Sequence, residues 1–229
     1  LKVNLGTIDK SMNTESITWG NRVLNYDSFG ASLDVNVDAF SATLAVVPGK
    51  ATYWMSKAKG ADVVLGELNL YAQYAADFGT ISAMLDFAEN FDKISIAAGY
   101  KNTFGDITMF ADAAVYIKEN ANAFAVDADV VYAKDALNAQ AYVKFTAPFE
   151  GIAKETIGLV TLAKVSYNMG AFTPYLQFED SNVMADDFAC MIKPGVTGSV
   201  GIMNYEVAVQ FDIAKKVNVS VPVNFAVNF

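Results

Sequence analysis

Residues 217–229 read VNVSVPVNFAVNF, and the periodicity of this stretch decides the fold. Val217, Val219, Val221, Val223, Phe225, Val227 and Phe229 are apolar, with Asn218, Ser220, Pro222, Asn224, Ala226 and Asn228 between them. Successive side chains of a strand point to opposite faces, so this period of 2 puts the seven apolar residues on one side. A helix would spread them around its circumference. Pro222 is the weak point, because it has no N–H to give to a ladder. The reading predicts a bulge there, or a strand in two pieces.

The pattern recurs upstream. Phe29, Ala31, Leu33, Val35 and Val37 alternate with Gly30, Ser32, Asp34 and Asn36, and Phe40, Ala42, Leu44 and Val46 follow. Further stripes run over 64–74, 81–87, 94–100, 107–117, 124–132, 137–145 and 205–213. Those over 157–167 and 172–178 are weaker, and 196–202 is the weakest. With Leu1, Val3 and Leu5 the count is about fourteen strands, within a range of about twelve to sixteen, many near the length a tilted membrane strand needs. Without the first segment it would be about thirteen, and even strand numbers in single-chain bacterial barrels favour including it.

Composition says what such strands face. The chain is 53% hydrophobic and only 18% charged, against about 25% charged in an ordinary soluble domain. No segment approaches the roughly 18 uninterrupted apolar residues of a membrane helix. The apolar content is instead distributed through short alternating segments. The edge strand of a soluble β-sandwich would alternate in the same way, but a sandwich of this length would carry more charge on its exposed face.

The links give an independent check. Short ones fall at 38–39, 76–79, 132–136, 168–171 and near Met203, and long ones at 6–27, 48–60, 147–156 and 179–193. Those at 89–93, 118–121 and 214–216 are short, so the alternation is a tendency. Short turns at one end and longer loops at the other are the layout of an outer-membrane barrel. The expectation is a single domain over 1–229, an all-β antiparallel up-and-down transmembrane barrel. Its C-terminus would be periplasmic, its long loops extracellular, and 217–229 would close against 1–5. No secretory leader is read at Leu1, so the chain is expected to be a mature or trimmed one.

At this point the residues resemble the porin-like outer-membrane β-barrel proteins of diderm bacteria. The resemblance covers the whole chain as pattern, and its specific part is the C-terminus. In that family the last strand ends in an aromatic residue with apolar residues at alternate positions before it, which Val223, Phe225, Val227 and Phe229 match. The resemblance implies an assembly signal read by the barrel-insertion machinery, a surface in contact with outer-membrane lipid, and passive diffusion of small hydrophilic solutes. A homotrimer is compatible with it. The family's arginine row at the constriction is not carried over, because Arg22 is the only arginine.

The polar faces carry Asp34, Glu67, Asp86, Asp112, Asp127, Asp129, Glu206 and Asp212 against Lys144 and Lys164. If the apolar face meets lipid, these ten residues line a lumen, and its carboxylates attract cations. A weakly cation-preferring pore is the expectation. The alternative is a structural or adhesion protein that uses the barrel as an anchor and works through its loops. Tyr74, Phe87, Tyr100, Phe124, Tyr132, Phe145, Tyr167, Phe178 and Phe229 sit near strand ends, where amphipathic rings form girdles at the headgroup level.

Other chemistries fare poorly. There is no histidine and one cysteine, Cys190, so the commonest general base and any Cys-based zinc site are missing. Asp180, Asp186 and Asp187 share one link without calcium-loop spacing and read as a solvated acidic loop. No cofactor, metal site or catalytic set is expected. A net charge of −9 without a basic patch argues against nucleic acid.

Overall fold

The computed structural model describes residues 1–12, 24–48, 65–88, 92–118, 122–153, 155–180, 182–186 and 188–227. The chain is all-β, and the described residues contain no helix. The strands are β1 (Lys2–Ser11), β2 (Asn25–Val37), β3 (Phe40–Pro48), β4 (Leu65–Ala76), β5 (Gly79–Ala88), β6 (Lys93–Phe104), β7 (Ile107–Lys118) and β8 (Ala123–Lys134). They continue with β9 (Leu137–Pro148), β10 (Gly158–Tyr167), β11 (Phe172–Asp180), β12 (Cys190–Val200), β13 (Met203–Ala208), β14 (Gln210–Ile213), β15 (Val217–Ser220) and β16 (Val223–Val227). They form one antiparallel sheet of 16 strands in which sequence neighbours pair from β1 to β13. β14 pairs with β12 and β15, and β16 pairs with β13.

The last four strands are two passes of chain, each broken once. Gly195 faces Ala208 and Cys190 faces Ile213, so β13 and β14 lie on β12 in one register. Val207 faces Val223 and Gln210 faces Ser220, again without an inserted residue. Prolines account for both breaks. Ala208 donates its amide to the Pro222 carbonyl at 3.1 Å, and Val209 donates to the Pro194 carbonyl at 3.0 Å. The return bond of each pair is lost because proline has no N–H. The tail is therefore in two pieces, with no bulge at Pro222.

Pairing also corrects the first link. β1 runs to Ser11 and β2 begins at Asn25, in a ladder from Lys2 with Asp34 to Ser11 with Asn25. Residues 6–11 lack a clean apolar stripe, but backbone pairing does not require one. β11 likewise extends to Asp180 and β12 starts at Cys190, which shortens the link expected at 179–193. Two-residue turns at Asp38, Gly105, Asp135 and Gly201 each open on a left-handed backbone, with φ of 50°, 58°, 51° and 61°. Glycine and aspartate tolerate that region best.

The ladders are staggered. The positions directly opposite one another, starting from Lys2, are Asp34, Thr43, Tyr71, Met84, Ala97, Ala114, Ala125, Thr146 and Gly158. Lys2 opens β1 and Gly158 opens β10 from the opposite end of the sheet. A steady climb of this kind is what tilted strands produce when a sheet curls into a barrel. Side chains report the curl directly. A side-chain carbon built on Gly99 of β6 would lie 2.8 Å from the Met12 terminal methyl, at the end of β1. Along a flat sheet those strands would stand about 24 Å apart. Among the described residues no ladder joins β1 to β15 or β16.

The two faces are sorted in the opposite sense to a soluble domain. One carries Leu44, Leu70, Ile96, Val126, Val143, Val165, Leu176 and Phe225, all exposed. The other carries Ser32, Thr43, Asn69, Ser95, Asp112, Asp127, Asp129 and Gln140, all buried. The extremes show the inversion: Ile96 is 47% exposed and Asp129 is 0% exposed.

Candidate functional site

The candidate site is the concave polar face. Strand registers place all ten sequence-predicted residues on it: Asp34 (β2), Glu67 (β4), Asp86 (β5), Asp112 (β7), Asp127 and Asp129 (β8), Lys144 (β9), Lys164 (β10), Glu206 (β13) and Asp212 (β14). They form separate groups rather than one centre.

The most buried group spans β7, β8 and β9. Asp112, Asp127 and Lys144 lie in one cross-strand row. Asp129 lies between Phe110 and Tyr142 in the next row of the same face. The Tyr142 hydroxyl donates to Asp127 Oδ2 at 2.8 Å, and Gln140 Nε2 donates to Asp129 Oδ2 at 2.8 Å. Gly99 makes the room for Asp112, since a side-chain carbon there would lie 1.9 Å from Asp112 Oδ1. Among the described residues Asp112 Oδ2 has no hydrogen-bond partner, although it is buried. Carboxylates directly opposite on paired strands disfavour each other's charge, and Lys144 faces Asp127 from β9. Lys101 stays to one side, with Nζ 4.9 Å from the centre of the Phe110 ring.

The second group spans β10 to β16 and centres on Glu206. Lys193 Nζ donates to Glu206 Oε1 at 2.6 Å, the Tyr175 hydroxyl donates to the same oxygen, and Asn224 Nδ2 donates to Oε2 at 3.0 Å. Lys164 Nζ lies 4.8 Å from the centre of the Tyr175 ring, within cation–π range. That ring covers Gly195, where a side-chain carbon would come within 2.5 Å of it. The Lys193–Glu206 ion pair joins β12 to β13, and the Asn224 hydrogen bond ties β16 to it. Toward the turn end, Phe172, Tyr205, Glu206 and Asn224 help line a cleft of about 490 Å³.

Smaller groups complete the face. Asp34 accepts from Asn4 Nδ2 at 2.6 Å and from Thr43 Oγ1 at 2.7 Å. Asp86 accepts from Asn69 Nδ2 at 3.3 Å, and Asp212 from Gln210 Nε2 at 2.8 Å. Asp180, expected in a solvated acidic link, is instead buried at the end of β11 on the convex register, where its Oδ2 accepts from the Thr161 amide at 3.0 Å and its hydroxyl at 2.5 Å. Asp187 lies outside the described residues.

Sequence reading missed several members. Lys10, Lys101 and Lys193 share the concave face and bring it nearer to charge balance than eight carboxylates against two lysines. Carried through the chain, the strand alternation would have found them. Gln140 was missed because only charged residues were selected for the polar face, and Tyr142 and Tyr175 because a strand tyrosine reads equally well as girdle or lining. The aromatics Tyr74, Phe87, Tyr100, Phe124, Tyr132, Phe145, Tyr167 and Phe178 all fall on the convex face. Val223, Phe225 and Val227 are exposed there too, and Phe229 lies outside the described residues.

No protein-family model, no curated protein and no solved structure matches the chain.

Proposed function

We propose that this chain is a fourteen-pass β-barrel of a bacterial outer membrane and a passive channel for small hydrophilic solutes, with a weak preference for cations. The observation that carries the reading is the inversion of faces: aliphatic side chains are exposed on the convex side, while carboxylates and amides are buried on the concave side. A soluble fold would bury the valines, leucines and isoleucines. Lipid reverses the requirement, because only the polar lining then needs water or internal partners.

Two features of the convex face support the membrane reading. From Ile107 to Ile117 on β7, at about 3.3 Å per residue and a tilt near 40°, the apolar band stands about 25 Å tall. The convex aromatics fall at two levels. Tyr74, Tyr100, Tyr132 and Tyr167 lie toward the turn end, and Phe87, Phe124, Phe145 and Phe178 toward the link end. Phe124 packs on Phe145 at 5.9 Å and on Phe149 at 5.7 Å. With the turns periplasmic, the longer links are extracellular.

The cation preference rests on the Asp112, Asp127 and Asp129 wall. Planar-bilayer recording across a potassium chloride gradient tests it. The reversal potential is expected on the cation-selective side, moving toward zero in the Asp112→Asn, Asp127→Asn double variant. An anion-selective reversal potential, or one that ignores the double variant, would contradict it. The anchor reading draws support from the apolar packing at one level of the concave face. It predicts a folded barrel that carries no current.

A further inference from the structure

The concave face is largely polar, with single apolar residues such as Phe110, Val131 and Leu162 and one apolar cluster. Ile8, Met12 and Leu24 form a buried cluster with Met84 and the small wall residues Ala97 and Ala114. The Met12 amide donates to the Leu24 carbonyl at 3.1 Å, so the end of β1 and the start of β2 present both side chains together. The Met12 methyl meets the wall at Gly99, five strands away along the sheet. The cluster therefore crosses the interior instead of coating one wall. Alanines receive the larger side chains, as in a packed core.

We infer that Met12, Leu24 and Met84 form an apolar constriction inside the barrel that sets the size and hydration of what passes. The inference rests on the channel reading and narrows it. A collar of methyl and thioether groups offers no hydrogen bonds to replace those of water, and hydrophobic constrictions gate by dewetting. Ions and strongly hydrated solutes then cross less readily than the polar lining above and below would allow. Asp112, which also packs on Gly99, marks where the polar wall resumes.

The test is single-channel conductance in potassium chloride for the wild-type chain, Met12→Ala with Leu24→Ala, Met84→Ala and the near-isosteric Met12→Gln. Heat-modifiable gel migration confirms that each is folded, and Met12→Gln preserves packing volume if truncation loosens the barrel. Met109→Ala, on the convex face, is the control. A rise of roughly threefold or more is expected for the double variant, with a smaller rise for Met12→Gln. Steps of wild-type size in every folded concave-face variant would overturn the constriction and leave the channel standing. No steps from any folded chain would overturn the channel and the constriction together.

Discussion

Gly99 shows how a single residue shapes the interior. A side-chain carbon there would collide with Asp112 Oδ1 at 1.9 Å, the Met12 methyl at 2.8 Å and Ser82 Oγ at 2.9 Å. Side chains from β5, from β7 and from the residue after β1 thus converge on one missing methyl. Gly99→Ala is expected to lower the stability of the folded chain by about 1–3 kcal/mol through overpacking. The same change in an Asp112→Ala background should cost at least about 0.5 kcal/mol less, because the principal clash is gone. Urea titration of the four chains in detergent measures both quantities, and additive effects would show that the notch is not built around Asp112. None of this was legible in the sequence. Gly99 fits a strand stripe, and only pairing across β5, β6 and β7 reveals what lies over it. Pro222 is the contrary case: a residue without an N–H interrupts a ladder wherever it stands, so the break was legible and only its form was open.

Strands were legible wherever alternation ran for several residues. The stripes over 107–117, 124–132 and 137–145 correspond closely to β7, β8 and β9. The ends were read less well. β1 reaches Ser11 through a stretch where Ile8 faces the interior and the apolar stripe lapses, because strand pairing continues as long as a neighbour offers hydrogen bonds. The two faces of one element carry a further prediction. Ile96 on β6 is convex and exposed, and Val131 on β8 is concave. Ile96→Lys is expected to destabilise the barrel in lipid by about 2–4 kcal/mol, with Val131→Lys costing far less. Unfolding in lipid vesicles provides the measure. A soluble protein would show no such penalty at Ile96, since that side chain would already face water.

For the whole molecule, the architecture follows from one pattern repeated along the chain. Each strand is too short and too mixed to be stable alone, and its backbone groups are satisfied only by its neighbours. Staggered pairing tilts the strands, tilt curls the sheet, and curling brings Met12, just beyond β1, onto β6. Composition and alternation made the all-β antiparallel sheet and its polar face readable. They could not show that side chains five strands apart in the sheet meet, since that depends on contacts between residues remote in sequence. The most direct test of the central claim, that the aliphatic face meets lipid and the polar face encloses a lumen, is a spin-label scan along β8 from Ala123 to Lys134 in lipid vesicles, one cysteine at a time in a Cys190→Ala background. Collision with lipid-dissolved oxygen should peak at the even-numbered positions, such as Val126 and Val130, and collision with a water-soluble nickel chelate at the odd-numbered ones. A scan with no period of 2, or with the two reagents exchanged, would contradict it.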